Sequence, residues 1–308
     1  MIPSYDELTL IEGLGMPHAW DVLDRDRGTV SLLSSDTVRS AATLVSEGDV
    51  IPLNLSLGEI DPPLFGRAPY KHTVLPVSRN SNEDKLDEFN PQSTSQWDGL
   101  RHVRAKQHGF FGGVTEIAAD DTETLSIEHW ARSGIVGRGV LLDVSRYLAS
   151  TGRPLDPFAG DEILAESLDA TAQAQGVELH PGDIACVRTG WVDAYRKLDT
   201  RGRRAPELSQ RFSGLRADAA TARFFWDNHV AALCADNPAV EVAPGDKSVG
   251  YLHWRLLPTL GLAVAELLDL DTLAERCATL RRWEFLFVAV PLPVPGGVSS
   301  PSNAVAIL

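Results

Sequence analysis

Short apolar runs of strand length recur along this chain, and what separates them limits the folds it can adopt. Asp183–Arg188, Val230–Ala235, Leu262–Ala265, Glu284–Val290 and Ala304–Leu308 are too short for helices and read as largely buried strands. Gly137–Val144 is a further, glycine-led strand, Val50–Leu57 carries a proline near its start, and His72–Val77 is another short strand. Helical patterns fall between them at irregular intervals. Ser4–Leu14 has Ser4 as cap and Glu7 as its capping-box partner, and 36–47 is closed by Gly48. Thr124–Arg132, Ser145–Ser150 and Asp218–Trp226 follow, with 160–175 stopped by Gly176 and Tyr251–Leu257 ended by Pro258 and Gly261. Strict βαβα alternation is missing, so a doubly wound sheet is not expected. With no repeat, low-complexity tract or linker, the expectation is one α/β domain over residues 1–308, with 1–49 as a helical extension packed on it.

The charge balance narrows the partners. Forty-two acidic residues against 28 basic give −14, which argues against a nucleic-acid backbone or an anionic membrane surface. Cys186, Cys234 and Cys277 are widely spaced and odd in number, which suits core thiols in a reducing compartment and fits no zinc-finger spacing. The first residues lack a basic segment followed by an apolar one, and no apolar run approaches the ~20 residues of a membrane span. A cytoplasmic protein is the simplest expectation.

The chemistry concentrates in Gln92-Ser-Thr-Ser-Gln-Trp-Asp-Gly-Leu-Arg-His102. Asp98 and His102 are four apart, so a carboxylate and an imidazole can reach one point. The polar stretch 78–96 before them reads as a long surface loop that shapes the site. A second pair is His253 and Glu266, opening an apolar helix and ending an apolar strand. Two carboxylates with two imidazoles suit zinc or manganese if they converge. The other histidines have no motif around them; His108, six residues after His102, is the partial exception. Gly137-Arg-Gly-Val is too short for a dinucleotide fingerprint, and no Gly-x-Ser-x-Gly elbow is present. Gly296-Gly297 reads first as a tight turn before the last strand.

Taken together these residues resemble the Putative cyclase family, metal-dependent hydrolases that include bacterial kynurenine formamidase and isatin hydrolase. Gly182-Asp-Ile184, Arg188-Thr-Gly-Trp191, His253 followed by Glu266, and Pro291-x-x-x-x-Gly296-Gly297 match its downstream marks. Its signature, His-x-Gly-Thr-His-x-Asp-x-x-x-His, is matched at Asp98 and His102. Gln92 and Gln96 stand at its first two histidines, and Thr94-Ser95 replaces Gly-Thr. The resemblance implies a three-layer ββα sandwich with a mixed sheet, and a homodimer or larger assembly. It also implies two overlapping metal sites. The one using both histidines is lost here, since an amide oxygen is a weak ligand for transition metals. The other, on Asp98, His253 and Glu266, remains.

The expected function is therefore hydrolysis of an amide, cyclic amide or lactone bond in a small carbonyl compound. One divalent metal, zinc or manganese, would sit on Asp98, His253 and Glu266 with Gln96 near or on it, and His102 would shuttle the proton. Trp97, Phe110 and Phe111 would line the substrate pocket. Two alternatives stay open. One is metal-independent cyclisation, ring opening or dehydration by His102 and Asp98. The other is a small-molecule binder without catalysis.

Overall fold

The computed structural model describes residues 2–308. Nine strands form one mixed sheet: β1 (Val50–Pro52), β2 (Gln96–Asp98), β3 (Ile135–Leu142), β4 (Ile184–Val187), β5 (Ala232–Ala235), β6 (Ala263–Glu266), β7 (Glu284–Ala289), β8 (Ser299–Pro301) and β9 (Ala304–Ile307). Their order is β8-β2-β6-β5-β4-β3-β7-β9-β1. The central pairs β3/β4, β4/β5 and β5/β6 are parallel, and the pairs outside them are antiparallel. β4, β5 and β6 are buried throughout, which their small and branched residues permit, whereas β7 alternates buried and half-buried positions.

The sheet curls, and its connectivity requires it. β8 is at one edge and β9 next to the other, yet only Ser302 and Asn303 join them. Two residues span about 7 Å, so the two ends of the sheet must approach each other. Asn54 and Ser302 fasten the closure: the Ser302 hydroxyl donates to Asn54 Oδ1, and Asn54 Nδ2 donates to the Ala304 carbonyl. Helices α1 (Ser35–Ala42), α2 (Val144–Ser150), α3 (Ala165–Gln175), α4 (Ala219–Asp227), α5 (Leu252–Arg255) and α6 (Asp271–Leu280) accompany this sheet. Local sequence sets several of their ends. Ser34 and Asp218 cap α1 and α4 by accepting from Thr37 and Thr221 N–H, and α3 stops at Gly176 in the left-handed region.

Several expected elements differ. Ser4–Leu14 forms only one 3-10 turn (Tyr5–Glu7), after which Thr9–Leu10 pairs with Pro17–His18. The first helix ends at Ala42, and β1 is shorter than the expected Val50–Leu57 strand. Pro258 does not end α5; the chain continues as a π turn, Leu256–Leu260, up to Gly261. The supposed loop after residue 78 is half of a hairpin, Lys71–Ser78 paired with Ser81–Asp87. Nearly every residue of that hairpin is exposed, including Val74, Leu75, Val77 and Leu86. α6, β8 and a helix at Trp191–Lys197 lie where no element was expected. Among the described residues no helix is long and apolar enough to cross a membrane, and the three cysteines are buried and unpaired.

Candidate functional site

The site begins with the pairing of β2 and β6. In this antiparallel register Gln96 lies opposite Glu266 and Asp98 opposite Val264. Side chains two apart share a face, so Gln96, Asp98 and Glu266 point the same way. All three are buried. α5 brings His253 over them, with Nε2 3.1 Å from Glu266 Oε1 and 3.9 Å from Asp98 Oδ2. Beyond Asp98 the chain turns at Gly99, where the His102 N–H donates to the Gly99 carbonyl, and His102 Nε2 comes 3.7 Å from Asp98 Oδ2. The four residues Asp98, His102, His253 and Glu266 therefore converge, as the sequence suggested.

Two amides complete the cluster. Gln92 Nε2 donates to Asp98 Oδ1 (2.7 Å) and lies 3.3 Å from His102 Nδ1. Gln96 Nε2 donates to Glu266 Oε2 (2.6 Å), while Gln96 Oε1 is buried without a partner. Each carboxylate is thus held at its outer oxygen and keeps its inner one toward His253.

Glu241 acts from behind His253. Its Oε1 lies 2.5 Å from Nδ1, and its Oε2 accepts from the Leu252 N–H at the start of α5. If Nδ1 carries the proton toward Glu241, the Nε2 lone pair faces Glu266 Oε1 and Asp98 Oδ2. Three acceptors cannot share that space unless a proton or a cation lies among them. Three buried carboxylates around one imidazole would otherwise be a costly excess of negative charge.

The ionisations follow from this crowding. Burial disfavours charge on His253, but Asp98, Glu241 and Glu266 together push its pKa well above the ordinary imidazole range. Burial also raises Asp98, yet His253, His102 and the Gln92 amide outweigh it and hold the carboxyl low. Burial and the Asp98 charge push Glu266 up to about 7, against the opposing charges of His253 and Arg67. His102 is lowered, first by burial and then by His253 and Arg67, with Asp98 opposing. At neutral pH His102 is therefore a neutral imidazole.

A divalent cation fits this donor set. One oxygen or nitrogen from each of Asp98, His253 and Glu266 lies within 4.8 Å of the others. Tetrahedral ligands at about 2.0–2.1 Å stand about 3.3 Å apart, and the 3.1 and 3.9 Å separations bracket that spacing. The unpartnered Gln96 Oε1 and the Glu241 brace on Nδ1 agree with such a centre.

The expected apolar wall is not where it was sought. Trp97 lies between Gln96 and Asp98, so strand alternation turns it to the other face. There it is fully buried, edge-on to Trp130 and Phe287, with Nε1 donating to the Ser302 carbonyl. Phe111 is also core, its ring against the Gly261 backbone, where a Cβ would come within 2.7 Å. Phe110 is half-buried, with the Arg104 guanidinium over its ring. His108 lies 2.9 Å from the Gln107 amide and is not part of the cluster. Gly296 spends its N–H and carbonyl on Thr122, Ser126 and Arg101, as a structural turn does. Arg188-Thr189-Gly190 pairs with Asp143, Asp271 and Asp236 and ties β4 to its neighbours. Glu241 and Arg67, both close to the cluster, carry no motif that would have marked them.

Known proteins share this architecture. A crystal structure described as a novel cyclase superposes with a TM-score of 0.83 at 28% identity, over 94% of this chain and 99% of its own. An isatin hydrolase bound to the product analogue thioisatinate gives a TM-score of 0.60 at 17% identity, covering 90% of this chain and 99% of its own. A predicted metal-dependent hydrolase from Bacillus stearothermophilus gives 0.52 at 16%, covering 84% and 97%. At these last two identities the likeness is one of fold. No curated protein matches the chain. The family model described as "Putative cyclase" matches residues 45–242, a span that contains β1 to β5, the Gln92–His102 segment and Glu241. The chain belongs to that cyclase family.

Proposed function

We propose that the chain hydrolyses an amide, cyclic amide or lactone bond in a small carbonyl compound. The observation that carries this reading is the convergence of Asp98 Oδ2, Glu266 Oε1 and His253 Nε2, with Glu241 behind the imidazole. One divalent cation, zinc or manganese, held by Asp98, His253 and Glu266 beside Gln96 Oε1, would supply Lewis acidity for the carbonyl and acidify water to a pKa of about 7. Glu241 keeps the His253 proton on Nδ1 and so presents Nε2 as a lone pair. Gln92 and Gln96 fix the outer carboxylate oxygens. His102 is the more exposed of the two imidazoles and is neutral, so it takes the proton from water and returns it to the departing nitrogen or oxygen. The test is metal analysis of protein purified without chelator, with turnover of formamides, cyclic imides and lactones by wild type and Asp98→Ala. About one metal per chain and a rate lost in Asp98→Ala are expected, and such a rate excludes a binding-only role. Full activity of metal-free protein in chelator overturns the metal mechanism.

The two glutamines favour one further reading. Their N–H groups already neutralise part of Asp98 and Glu266 without any cation, and a protonated His253 between the carboxylates would satisfy the rest. His102 and Asp98 would then carry out metal-independent ring opening, ring closure or dehydration. Activity that appears only when zinc or manganese is added back decides against it.

Three further features belong to this reading. The continuous sheet, with β1 and β9 adjacent, supports one folding unit along the whole chain. The buried free cysteines suit the cytoplasm. The hairpin of 71–87 supports a homodimer. An isolated two-stranded hairpin is marginal in water, and this one exposes Val74, Leu75, Val77 and Leu86, apolar surface that a second subunit can cover.

A further inference from the structure

The candidate site is rich in anions, and one cation beside it is not used up by the fold. Arg67 is half-buried on the segment after the 3-10 turn Leu64–Gly66. Its Nη1 donates to the Gln92 carbonyl, and Gln92 is the residue whose side chain touches both Asp98 and His102. Its guanidinium lies over the Phe65 ring, 5.1 Å from the centroid. Phe65 takes a left-handed backbone (φ 60°), which is uncommon for an aromatic residue, and the residue is 42% exposed. Local backbone cost is therefore accepted where the aromatic ring and the guanidinium stack together.

The other donors of Arg67 have no protein partner among the described residues, and no carboxylate pairs with it. Arg101, at the far end of the same motif, is the contrast. Its guanidinium is spent on the Thr124, Asp121 and Gly296 carbonyls and on the Asp121 carboxylate. The Arg67 charge also acts on His102 and Glu266, lowering both. Asp98, Glu266 and Glu241 bring three buried carboxylates to the cluster. A fixed cation beside them is where an anionic group of a substrate would be received.

We propose that Arg67 is the anion anchor of this site, and that the substrate carries a carboxylate near the carbonyl that is attacked. The free edge of the guanidinium offers paired N–H donors that match a carboxylate, and Phe65 holds the plane of that edge. A small carboxylate that also bears the scissile amide or ester is the simplest compound to fit. This inference rests on the hydrolase reading, but it is read through binding as well as turnover.

The experiment compares wild type, Arg67→Gln and Arg67→Lys in calorimetric titrations with benzoate and benzamide. The same proteins are assayed on 2-formamidobenzoate and formanilide, which differ only in the carboxylate. Thermal melts show whether each variant is folded; Gln and Lys can both still donate to the Gln92 carbonyl. Wild type should prefer the carboxylate-bearing member of each pair. In Arg67→Gln that preference should fall about ten- to a hundredfold, the size of a lost charge-assisted pair, and in Arg67→Lys by less. Wild type without a carboxylate preference, or a preference equal in Arg67→Gln, overturns the anchor and leaves the hydrolase reading intact. A benzoate preference that depends on Arg67, with neither formamide turned over, supports the anchor and counts against hydrolysis.

Discussion

Replacing Glu241 with Gln isolates how His253 is oriented. In the wild type Glu241 Oε2 accepts from the Leu252 N–H, and Oε1 accepts from Nδ1–H of His253 and from the His253 N–H. A glutamine oxygen can serve only one of these two positions in the same pose, because the other terminal atom becomes an NH2. If the oxygen stays on the buried Leu252 N–H, the amide nitrogen faces Nδ1 and the imidazole must move its proton to Nε2. That proton then points at Glu266 Oε1, 3.1 Å away, where the cation would bind. A charge-assisted hydrogen bond is worth about 1.5–3 kcal/mol. At about 1.4 kcal/mol per decade this is one to two decades of affinity, the range found when the partners of metal-ligating histidines are removed.

The assay is competition for zinc, and separately for manganese, against a chromophoric chelator at neutral pH. Affinity should fall about 10–100-fold in Glu241→Gln. Thermal melts of the metal-free proteins check that the variant is folded. Equal affinity within twofold, in a folded variant, refutes the argument that His253 binds through Nε2. A wild type that binds neither ion refutes the cation itself and moves the site to the acid–base reading.

Other perturbations separate the remaining roles. His102→Ala should lower turnover about 10²–10⁴-fold while leaving metal content unchanged, and added imidazole should recover part of the rate; unchanged turnover removes His102 from the chemistry. Trp97→Phe deletes the bond to the Ser302 carbonyl in a packed core, so urea unfolding should show a loss of about 1–3 kcal/mol with KM unchanged. A raised KM without a stability loss would return Trp97 to the pocket. Replacing 72–87 with a short Gly-Ser turn should convert a dimer to a monomer in light scattering, and an unchanged mass rules out the hairpin as the contact. Asp236 is raised by burial to about 6 despite Arg188 and the N–H donors of Thr189 and Gly190. A raised carboxyl stabilises the fold fully below its unfolded pKa of 3.8 and loses that contribution as pH rises through 6, a change of about 3 kcal/mol. Denaturation midpoints should therefore fall between pH 4 and 6, and a slope unaffected by Asp236→Asn rejects Asp236 as its source.

How far the sequence reached depends on whether a residue's role is local. Asp98 and His102 share one turn, and His253 and Glu266 flank one apolar segment, so spacing alone made them candidates. Glu241 and Arg67 reach the cluster only through tertiary contacts, and no pattern around either residue reports that. Trp97 can face a pocket only if its segment is a loop; with Gln96–Asp98 a strand, alternation alone sends the indole to the core. Ser81–Asp87 is mostly charged and polar, so its sequence carries no strand pattern, and cross-strand pairing with Lys71–Ser78 is what makes it a strand. α6 is the plainer omission. Leu273, Ala274 and Cys277 form a buried i, i+1, i+4 stripe that helical periodicity could have shown.

The two glutamines are where sequence and geometry meet most closely. At the positions where the family signature has imidazoles, Gln92 and Gln96 present N–H groups, and each takes the outer oxygen of one carboxylate: Asp98 Oδ1 and Glu266 Oε2. The inner oxygens, Asp98 Oδ2 and Glu266 Oε1, are left to face His253 Nε2. Two neutral amides thus orient the carboxylates without adding charge, and they stand where ligands of a second cation would have to be. A second ion would need to displace both donors and would find only weak amide oxygens in exchange. One cation among the inner oxygens and Nε2 would leave both amide bonds in place, and Gln96 Oε1 has no partner. On the proposed reading, the two amides that hold the outer oxygens would also hold the ligands of a single cation in place.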